Sequence, residues 1–438
     1  MPVYQNLDSR LRGFFEEFRE TRGSGRPILK AASTGQLSYA ERASTDSGLE
    51  RFHEIQNQVR PLFGKPEANQ PLIGHFPYFD HLKGTTDVAE CPITTLFMDI
   101  ESSTRLNLLY SPEEVYEIKN AFIMTTMALV RAFDGHVHRI MGDAVMAFFG
   151  NPDDSPQQGL IDAINCAAFI QHYVRNSVIP SLNESGKDSH FGVRIGLDFA
   201  PEGEIIWSSY GYPDMEEVTA TSLYVDLASK LQHQAGRHQV MLGQSLIQRV
   251  DFPERLSSPK KVTQGGESKE VDYLEPNHTD ASGKPLNYRM RLLDWEKYLR
   301  LSELSPMDLD GVGSMNGSAI GLQIQASEHV EKRGGFLGEL KSLARPLEKG
   351  RGILYSANLG FQPNLPYTIT FSVENHGSEA SLAENNGNHS QNYTVLSPRD
   401  HGKTTHWESA AYKGLHLMRV SVKNDRIALK RDFGVYIF

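Results

Sequence analysis

Two aspartates follow short hydrophobic stretches, and both could bind a divalent cation. Asp99 lies near the end of ITTLFMDI, and Asp143 follows a glycine in HRIMGDAVMAFFG. Carboxylate oxygens are preferred ligands of Mg²⁺ and Mn²⁺, and these ions bridge phosphate oxygens. Each aspartate alone could equally be a turn residue, because Gly-Asp is a common turn pair. The pair predicts a metal site only if the fold brings both carboxylates together.

The segment between the two aspartates has a helical pattern. Ser111 is a plausible N-cap, Pro112 suits the first helical position, and acidic residues follow it. A strand, a helical crossover and a returning hairpin would place Asp99 and Asp143 at one edge of a sheet.

Both stretches resemble the nucleotidyl cyclase domain of class III adenylate and guanylate cyclases, and the resemblance covers residues 91 to 247. The matching residues are Phe97, Asp99, Ile100, Ser103 and Thr104 in the strand, and Gly142, Asp143, Met146 and Ala147 in the hairpin. The resemblance implies an α/β (α+β) domain with a mixed sheet flanked by helices. It also implies that Asp99, Asp143 and the Ile100 carbonyl hold two Mn²⁺ or Mg²⁺ ions. The turn with Ser102, Ser103 and Thr104 would bind the phosphates.

A second matching stretch, TATSLYVDLASKLQHQAG, has the apolar spacing of a helix. In the family, this helix reaches the active site of a partner subunit, so the resemblance implies a homodimer. The family's ribose-orienting Asn is Asp226 here, and its phosphate-stabilising Arg is Lys230. Lysine keeps the charge but loses the planar fork of arginine. There are two alternatives. Asp226 and Lys230 could form an acid–base pair on a solvated helix face, or the domain could be inactive and regulatory.

The positions that read the base in this family are Arg139 and Thr219. An arginine offers only donors, which suits the two carbonyl acceptors of uracil slightly better than cytosine. Arg139 could instead pair with an acid such as Glu101.

With these substitutions, the chain resembles the pyrimidine cyclases of bacterial Pycsar anti-phage defence. That resemblance predicts conversion of UTP to 3′,5′-cyclic UMP and pyrophosphate, with a separate effector protein responding to the product. The alternatives are a cytidylate cyclase, an adenylate or guanylate cyclase, and a non-catalytic nucleotide-binding regulator.

Composition limits the classes of partner. The 438 residues allow two or three domains, and the net charge of −10 argues against binding to nucleic acid or an anionic membrane. Two cysteines, Cys91 and Cys166, favour a reducing compartment, and no apolar stretch reaches membrane-spanning length. We therefore expect a cytoplasmic protein.

The pattern predicts four regions: a helical N-terminus (1–88), the cyclase domain (89–300), a linker (301–324) and a sensor domain (325–438). In the first, the apolar positions of LDSRLRGFFEEFRE form one helix face, which favours a packing helix over a lid or dimerisation helix. Lys260 or Lys261 could reach the triphosphate, although a solvated basic turn is the more ordinary interpretation.

The last region alternates as short strands and predicts a β-sandwich. Its segments VENHGSEA and WESAAYKGLH resemble the sensor domain found beside cyclases and SMODS nucleotidyltransferases. That family is expected to bind a regulatory ligand, for which Tyr412, Lys413 and His416 are candidate contacts. Trp407 is expected in the core.

Overall fold

The computed structural model describes most of the chain. The described residues are 7–23, 43–187, 191–212, 214–264, 267–271, 273–274, 279, 282–283, 288–304, 308–309, 321–332, 334–384, 387–397 and 403–438. Most of the predicted linker at 301–324, and residues 24–42 of the predicted helical N-terminus, lie outside them.

The first part of the chain is helical. Helix α1 (Leu7–Gly23) buries the apolar face formed by Leu7, Leu11, Phe15 and Phe18. This face packs on helix α4 (Pro112–Ala132), as expected for a packing helix. Helix α2 (Ala43–Val59) packs on α4 too and leads into a 3₁₀ turn at Arg60–Phe63.

The part of the chain predicted to be the cyclase domain is a mixed sheet with helices. Its helices are α3 (Ser103–Leu109), α4 (Pro112–Ala132), α5 (Pro156–Tyr173), α6 (Ile179–Glu184), α7 (Leu223–Gln234), α8 (Gln244–Val250) and α9 (Trp295–Leu299). Its strands are β1 (Ile93–Ile100), β2 (His136–Met141), β3 (Ala144–Phe149), β4 (Val193–Ala200), β5 (Ile206–Tyr212), β6 (Met215–Thr221), β7 (Gln239–Gly243), β8 (Ser257–Ser258), β9 (Lys260–Gln264), β10 (Glu267–Val271), β11 (Tyr273–Leu274) and β12 (Tyr288–Leu293).

The strand order explains how distant residues meet. The main sheet runs β11-β12-β7-β4-β1-β3-β2, and β8 pairs with β12. Thus β1 is central, and the helical crossover returns the chain to the β2–β3 hairpin beside it, as predicted. Ser111 caps α4 and forms a capping box with Glu114. Strands β5 and β6 form a separate antiparallel arm.

The two faces of β1 have different surroundings. Leu96, Met98 and Ile100 lie in the core beneath α4 and α5. Phe97 and the preceding Ile93 face a smaller cluster around Trp207. Because side chains alternate along a strand, Asp99 shares this second face.

The C-terminal part is a two-sheet sandwich, as the alternating pattern predicted. Its elements are β13 (Asp308–Leu309), β14 (Leu322–Glu331), β15 (Gly334–Leu340), β16 (Pro346–Leu347), β17 (Gly352–Leu359), β18 (Tyr367–Asn375), α10 (Ser378–Leu382), β19 (His389–Val395), β20 (Lys403–Ser409), β21 (Gly414–Lys423) and β22 (Ala428–Ile437). One sheet runs β13-β22-β21-β18-β19, with β16 beside β22, and the other runs β15-β14-β17-β20. The apolar core lies between them.

Helix α5 joins the two parts of the molecule. Its apolar residues, which include Cys166, are fully buried, and burial raises the pKa of the Cys166 thiol. The polar Asn165 is also buried: it donates to the Leu343 carbonyl at 2.8 Å and accepts from the Tyr298 hydroxyl at 2.9 Å. The segment that leads into the sandwich therefore covers this side of the helix too.

Candidate active site

The register of β1 and β3 brings the two aspartates to one edge. Met98 pairs with Val145. Continuing this register by one residue places Asp99 beside Ala144, and by two residues it places Ile100 beside Asp143. Gly142 adopts a positive φ of 69° in the β2–β3 turn, a conformation that glycine allows at little cost. The register thus places both aspartates at the same end of two neighbouring strands, as the sequence required.

Asp99 is held by residues of two other elements. Its Oδ2 accepts from Arg194 Nε at 3.0 Å and from Arg194 Nη2 at 2.7 Å. Arg194 lies directly opposite on β4, so the register fixes this ion pair. Gln232 of α7 approaches the same oxygen at 3.4 Å. These contacts orient the carboxylate.

Asp143 is less constrained. Lys119 Nζ of α4 lies 3.9 Å from its Oδ2. This oxygen is buried and has no hydrogen-bond partner in the described part of the chain. A buried carboxylate oxygen without a donor is costly unless a cation satisfies it. The two carboxylates therefore fit a divalent cation.

The turn after β1 leads into α3. Ser102 has a left-handed φ of 58° and precedes the helix, and Ser103 and Thr104 form its first turn. Ser102 and Thr104 are exposed and Ser103 is half-buried. Glu101 forms an ion pair with Arg237 at 3.0 Å.

Arg139 and Thr219 meet in one polar cluster, which also contains His138 and Glu217. Arg139 Nε donates to Glu217 Oε1 at 2.6 Å, and its Nη2 donates to Oε2. The acid that pairs with Arg139 is therefore Glu217 and not the suggested Glu101. Glu217 and Thr219 share one face of β6, because they are two residues apart.

His138 fixes the direction of one hydrogen bond in this cluster. Its Nδ1 lies 2.9 Å from the Gly74 carbonyl, which can only accept, so Nδ1 carries the proton. Burial lowers the pKa of His138, which keeps the ring neutral. Its Nε2 therefore accepts from the Thr219 hydroxyl at 3.0 Å. The Thr219 oxygen is left with acceptor capacity only.

Asp226 and Lys230 lie apart from these groups within one chain. They occupy the exposed side of α7, whose other side packs on β4 at Gly196. In the described part of the chain, neither forms an ion pair or side-chain hydrogen bond with Asp99, with Asp143 or with the other. The suggested pair between them on a solvated face is thus not formed.

Three other candidates have local partners. Lys260 Nζ donates to Gln234 at 2.8 Å, and Lys261 lies 3.8 Å from Glu270 in the β9–β10 hairpin. In the sandwich, His416 is only 1% exposed, and its Nδ1 contacts Asn375 Oδ1 at 2.9 Å. His416 is thus an interior residue, where the sequence suggested a ligand contact.

Sequence reasoning missed the residues that hold the site together: Arg194, Gln232, His138 and Glu217. Arg194 and Glu217 are charged residues within strands, a signal that could have marked them as partners of other charges. Their partners depend on register, which the sequence does not contain.

Comparison with known proteins identifies the class. Residues 87–273 match the adenylate and guanylate cyclase catalytic domain, and residues 294–438 match the adenylyl/guanylyl and SMODS C-terminal sensor domain. The chain belongs to the class III nucleotidyl cyclases that carry this sensor domain, and it is a nucleotidyl cyclase. Class III cyclases use divalent metal ions.

Two of the relatives to which this nucleotidyl cyclase is similar are cytidylate cyclases. A cytidylate cyclase of Escherichia coli is 35% identical over 88% of this chain and 87% of its own length. A cytidylate cyclase of Staphylococcus aureus is 31% identical over 94% of this chain and 93% of its own.

Solved structures also match, at lower identity. The adenylyl cyclase CyaB from P. aeruginosa covers 47% of this chain and 95% of its own, with 13% identity and a TM-score of 0.39. The guanylate cyclase domain of RhGC from Catenaria anguillulae in complex with GTP covers 48% of this chain and 98% of its own, with 17% identity and a TM-score of 0.35.

Among the described residues, no helix has the length and apolarity needed to span a membrane.

Proposed function

We propose that this nucleotidyl cyclase acts on a pyrimidine nucleotide and converts CTP into 3′,5′-cyclic CMP and pyrophosphate. The observation that carries the choice of base is the hydrogen bond from Thr219 to His138. Because the hydroxyl proton is used there, Thr219 can accept from a base but cannot donate to it. Cytosine presents an amino donor at its 4-position, whereas uracil presents an acceptor. The cytidylate cyclases among the relatives support the same choice.

UTP is the second candidate, and Arg139 favours it. A guanidinium offers only donors, and both uracil carbonyls are acceptors. However, Glu217 already takes two of the Arg139 donors. A carboxylate at this position accepts hydrogen bonds, and it would attract an amino group and repel a carbonyl oxygen. The cluster as a whole therefore favours CTP over the UTP that the sequence suggested.

Asp99, Asp143 and the Ile100 carbonyl would hold two Mn²⁺ or Mg²⁺ ions. When bound, such ions lower the pKa of a hydroxyl and neutralise phosphate charge. Arg194 fixes the direction of Asp99. The backbone amides of the turn with Ser102, Ser103 and Thr104 would bind the terminal phosphates.

The reaction itself is an in-line displacement. The ribose 3′-oxygen forms a bond to the α-phosphorus, and the bond to the bridging oxygen breaks, so that pyrophosphate leaves with the electron pair. The 3′-hydroxyl proton passes to solvent water in this step. Lys230 neutralises the charge that develops on the phosphate, and Asp226 contacts the ribose.

We further propose that Lys230 and Asp226 act in the site of a partner subunit. Both side chains point away from the domain core, so they can reach a second chain. The β5–β6 arm supports this arrangement, because it exposes large side chains that a partner could cover, including Tyr210, Tyr212 and Met215. A homodimer would contain two such sites.

The cellular role follows from the resemblance to Pycsar cyclases. We propose that the cyclic pyrimidine nucleotide is a second messenger in anti-phage defence and that a separate effector binds it. The reaction would take place in the cytoplasm.

A competition assay tests the choice of base. The purified chain is given equal concentrations of CTP and UTP with Mg²⁺ or Mn²⁺, and the two cyclic products are quantified by mass spectrometry. We expect cyclic CMP to dominate. A product that is mainly cyclic UMP would reject the proposed role of Thr219.

A further inference from the structure

Three metal-binding side chains meet at the open side of the sandwich. His389 begins β19, the edge strand of one sheet, and His406 and Glu408 lie on β20, the edge strand of the other. One donor atom from each lies within 4.8 Å of the other two. We call these three residues the edge cluster. They are far in the sequence from the carboxylates of the active site, and they lie on the two sheets of the sandwich and not on the main sheet of the catalytic part.

Both imidazoles of the edge cluster point at the same oxygen. His389 Nε2 lies 2.9 Å from Glu408 Oε1, and His406 Nε2 lies 2.5 Å from it. The Glu408 carboxylate is largely buried, with a residue exposure of 8%. Ligands of a tetrahedral Zn²⁺ lie about 3.3 Å apart at metal–ligand distances of about 2.0–2.1 Å, so small rotations of these side chains would admit an ion.

A second layer of contacts fixes the ring orientations. His389 Nδ1 faces the Gly387 carbonyl at 3.0 Å, so this nitrogen carries a proton and Nε2 is the nitrogen available to a metal ion. His406 Nδ1 faces the Tyr393 hydroxyl at 3.1 Å, and its ring stacks on Phe371 with centroids 5.1 Å apart. A histidine whose far nitrogen is held in this way is typical of metal sites.

The backbone that orients His389 is also constrained. A Cβ at Gly387 would lie 2.4 Å from the ring of Tyr412, so a larger residue at this position would displace that ring. The neighbouring Asn388 accepts from the backbone amide of Asn375 at 2.7 Å. Asn375 and Asn388 line a cleft of about 500 Å³ that also contains Asp251 of the catalytic part. The edge cluster is therefore one residue away from the boundary between the two parts.

A hydrogen-bonded group of two histidines and one glutamate is the ordinary interpretation. In that interpretation, Glu408 Oε1 accepts an N–H bond from each ring, because a carboxylate oxygen has two lone pairs. His389 would then donate from both nitrogens, since its Nδ1 faces the Gly387 carbonyl, and its ring would carry a positive charge. A metal ion between the three donor atoms takes the place of the two N–H groups and leaves both rings neutral.

We propose that His389, His406 and Glu408 bind one Zn²⁺ ion that joins the two edge strands of the sensor domain. Two imidazoles and one carboxylate suit Zn²⁺ and disfavour Mg²⁺, which prefers oxygen ligands. Three protein ligands leave a fourth position for water or a small anionic ligand. The ion ties β19 to β20 and so fixes the Asn388 segment beside the cleft.

Zinc content of the untagged full-length chain tests this site. The protein is stripped with EDTA, incubated with one equivalent of Zn²⁺, passed over a desalting column and analysed by elemental mass spectrometry. The assay is run in an Asp99→Ala/Asp143→Ala background, so that the catalytic carboxylates contribute nothing. We expect one zinc per chain. A chain that retains no zinc at micromolar concentration would overturn the proposal.

Matched variants locate the ion. Glu408→Gln keeps the side-chain shape and should weaken zinc binding at least about 10-fold, and Tyr393→Phe should weaken it about 10- to 100-fold by loosening His406. His329→Ala removes a histidine of the same domain and serves as the control. Co²⁺ bound in place of zinc should give the visible absorption of a tetrahedral ion, and Glu408→Gln should abolish it. Equal zinc affinity in Glu408→Gln, with an unchanged cobalt spectrum, would also reject the site.

Discussion

The active site and the edge cluster are two candidate metal centres of opposite chemistry. The first joins two carboxylates on neighbouring strands of one sheet, and the cations of Arg194 and Lys119 lie beside them. The second joins two imidazoles and one carboxylate across two sheets. Oxygen ligands suit ions that bridge phosphates, whereas imidazoles suit ions that hold strands together. The two proposed sites would therefore bind different ions and would not compete for them.

The largest effect should come from the catalytic carboxylates. Asp143→Ala or Asp99→Ala removes half of the protein carboxylates that hold the divalent ions, and pyrophosphate release from CTP should fall at least about 1,000-fold. Asp143 lies in a turn, so the thermal unfolding temperature of the Asp143→Ala variant should stay close to that of the wild type. Asp153→Ala, which changes an exposed turn aspartate, is the control. Wild-type turnover in Asp143→Ala would exclude a catalytic role for this carboxylate.

A smaller loss is expected at the helix that should face the partner. Lys230→Ala removes a cation from the transition state and should lower turnover about 100-fold, while Lys261→Ala should not. Mixed dimers sharpen this prediction. Equal amounts of Asp143→Ala and Lys230→Ala chains should recover about one quarter of wild-type activity, because half of the dimers are mixed and each has one intact site. If mixing restores no activity, then Lys230 does not act across an interface.

A change of about 10-fold is expected in base preference. Thr219→Val keeps the side-chain shape but removes the acceptor, so the ratio of cyclic CMP to cyclic UMP should fall by this amount. Glu217→Gln should also lower the ratio of cyclic CMP to cyclic UMP. The assay is the two-nucleotide competition described above. A ratio that is unchanged in both variants would show that the cluster around Arg139 does not read the base.

The smallest effect concerns stability and involves neither metal centre. Burial raises the pKa of Asp198, on β4, to about 7, although Tyr288 donates to it at 2.6 Å. The folded state thus binds this proton more tightly than the unfolded state, whose pKa is near the ordinary 3.8.

The contribution of Asp198 should therefore be most favourable below pH 4 and should decline as the pH rises to about 7. Asp198→Asn removes this titration. Its unfolding temperature relative to wild type should rise by a few degrees between pH 4.5 and pH 7.5. A constant difference across this range would show that Asp198 does not titrate as described.

The same comparison shows what sequence can and cannot predict. Asp99 and Asp143 each lie in a recognisable local motif, and the strand–helix–hairpin order was enough to place them at the same end of neighbouring strands. His389, His406 and Glu408 follow no motif, because their meeting depends on two sheets facing each other. The partner of Arg139 was missed for a similar reason, since Glu217 lies on a separate two-stranded arm.

Burial on both sides of α5 depends equally on the rest of the fold. Asp162 and Asn165 are polar residues of a helix, and such residues are mostly exposed. In the structure both are buried, and Asp162 forms an ion pair with Lys65 at 2.7 Å. Contacts between distant parts of the chain decide such cases.

The most direct test of cyclase activity at these carboxylates is product identification. The wild-type chain and Asp143→Ala are incubated separately with ATP, GTP, CTP and UTP in the presence of Mn²⁺ or Mg²⁺, and the products are identified by mass spectrometry. We expect a 3′,5′-cyclic pyrimidine nucleotide, chiefly cyclic CMP, from the wild type and none from the variant. If no triphosphate gives a cyclic product, or if the variant makes as much as the wild type, the account is contradicted.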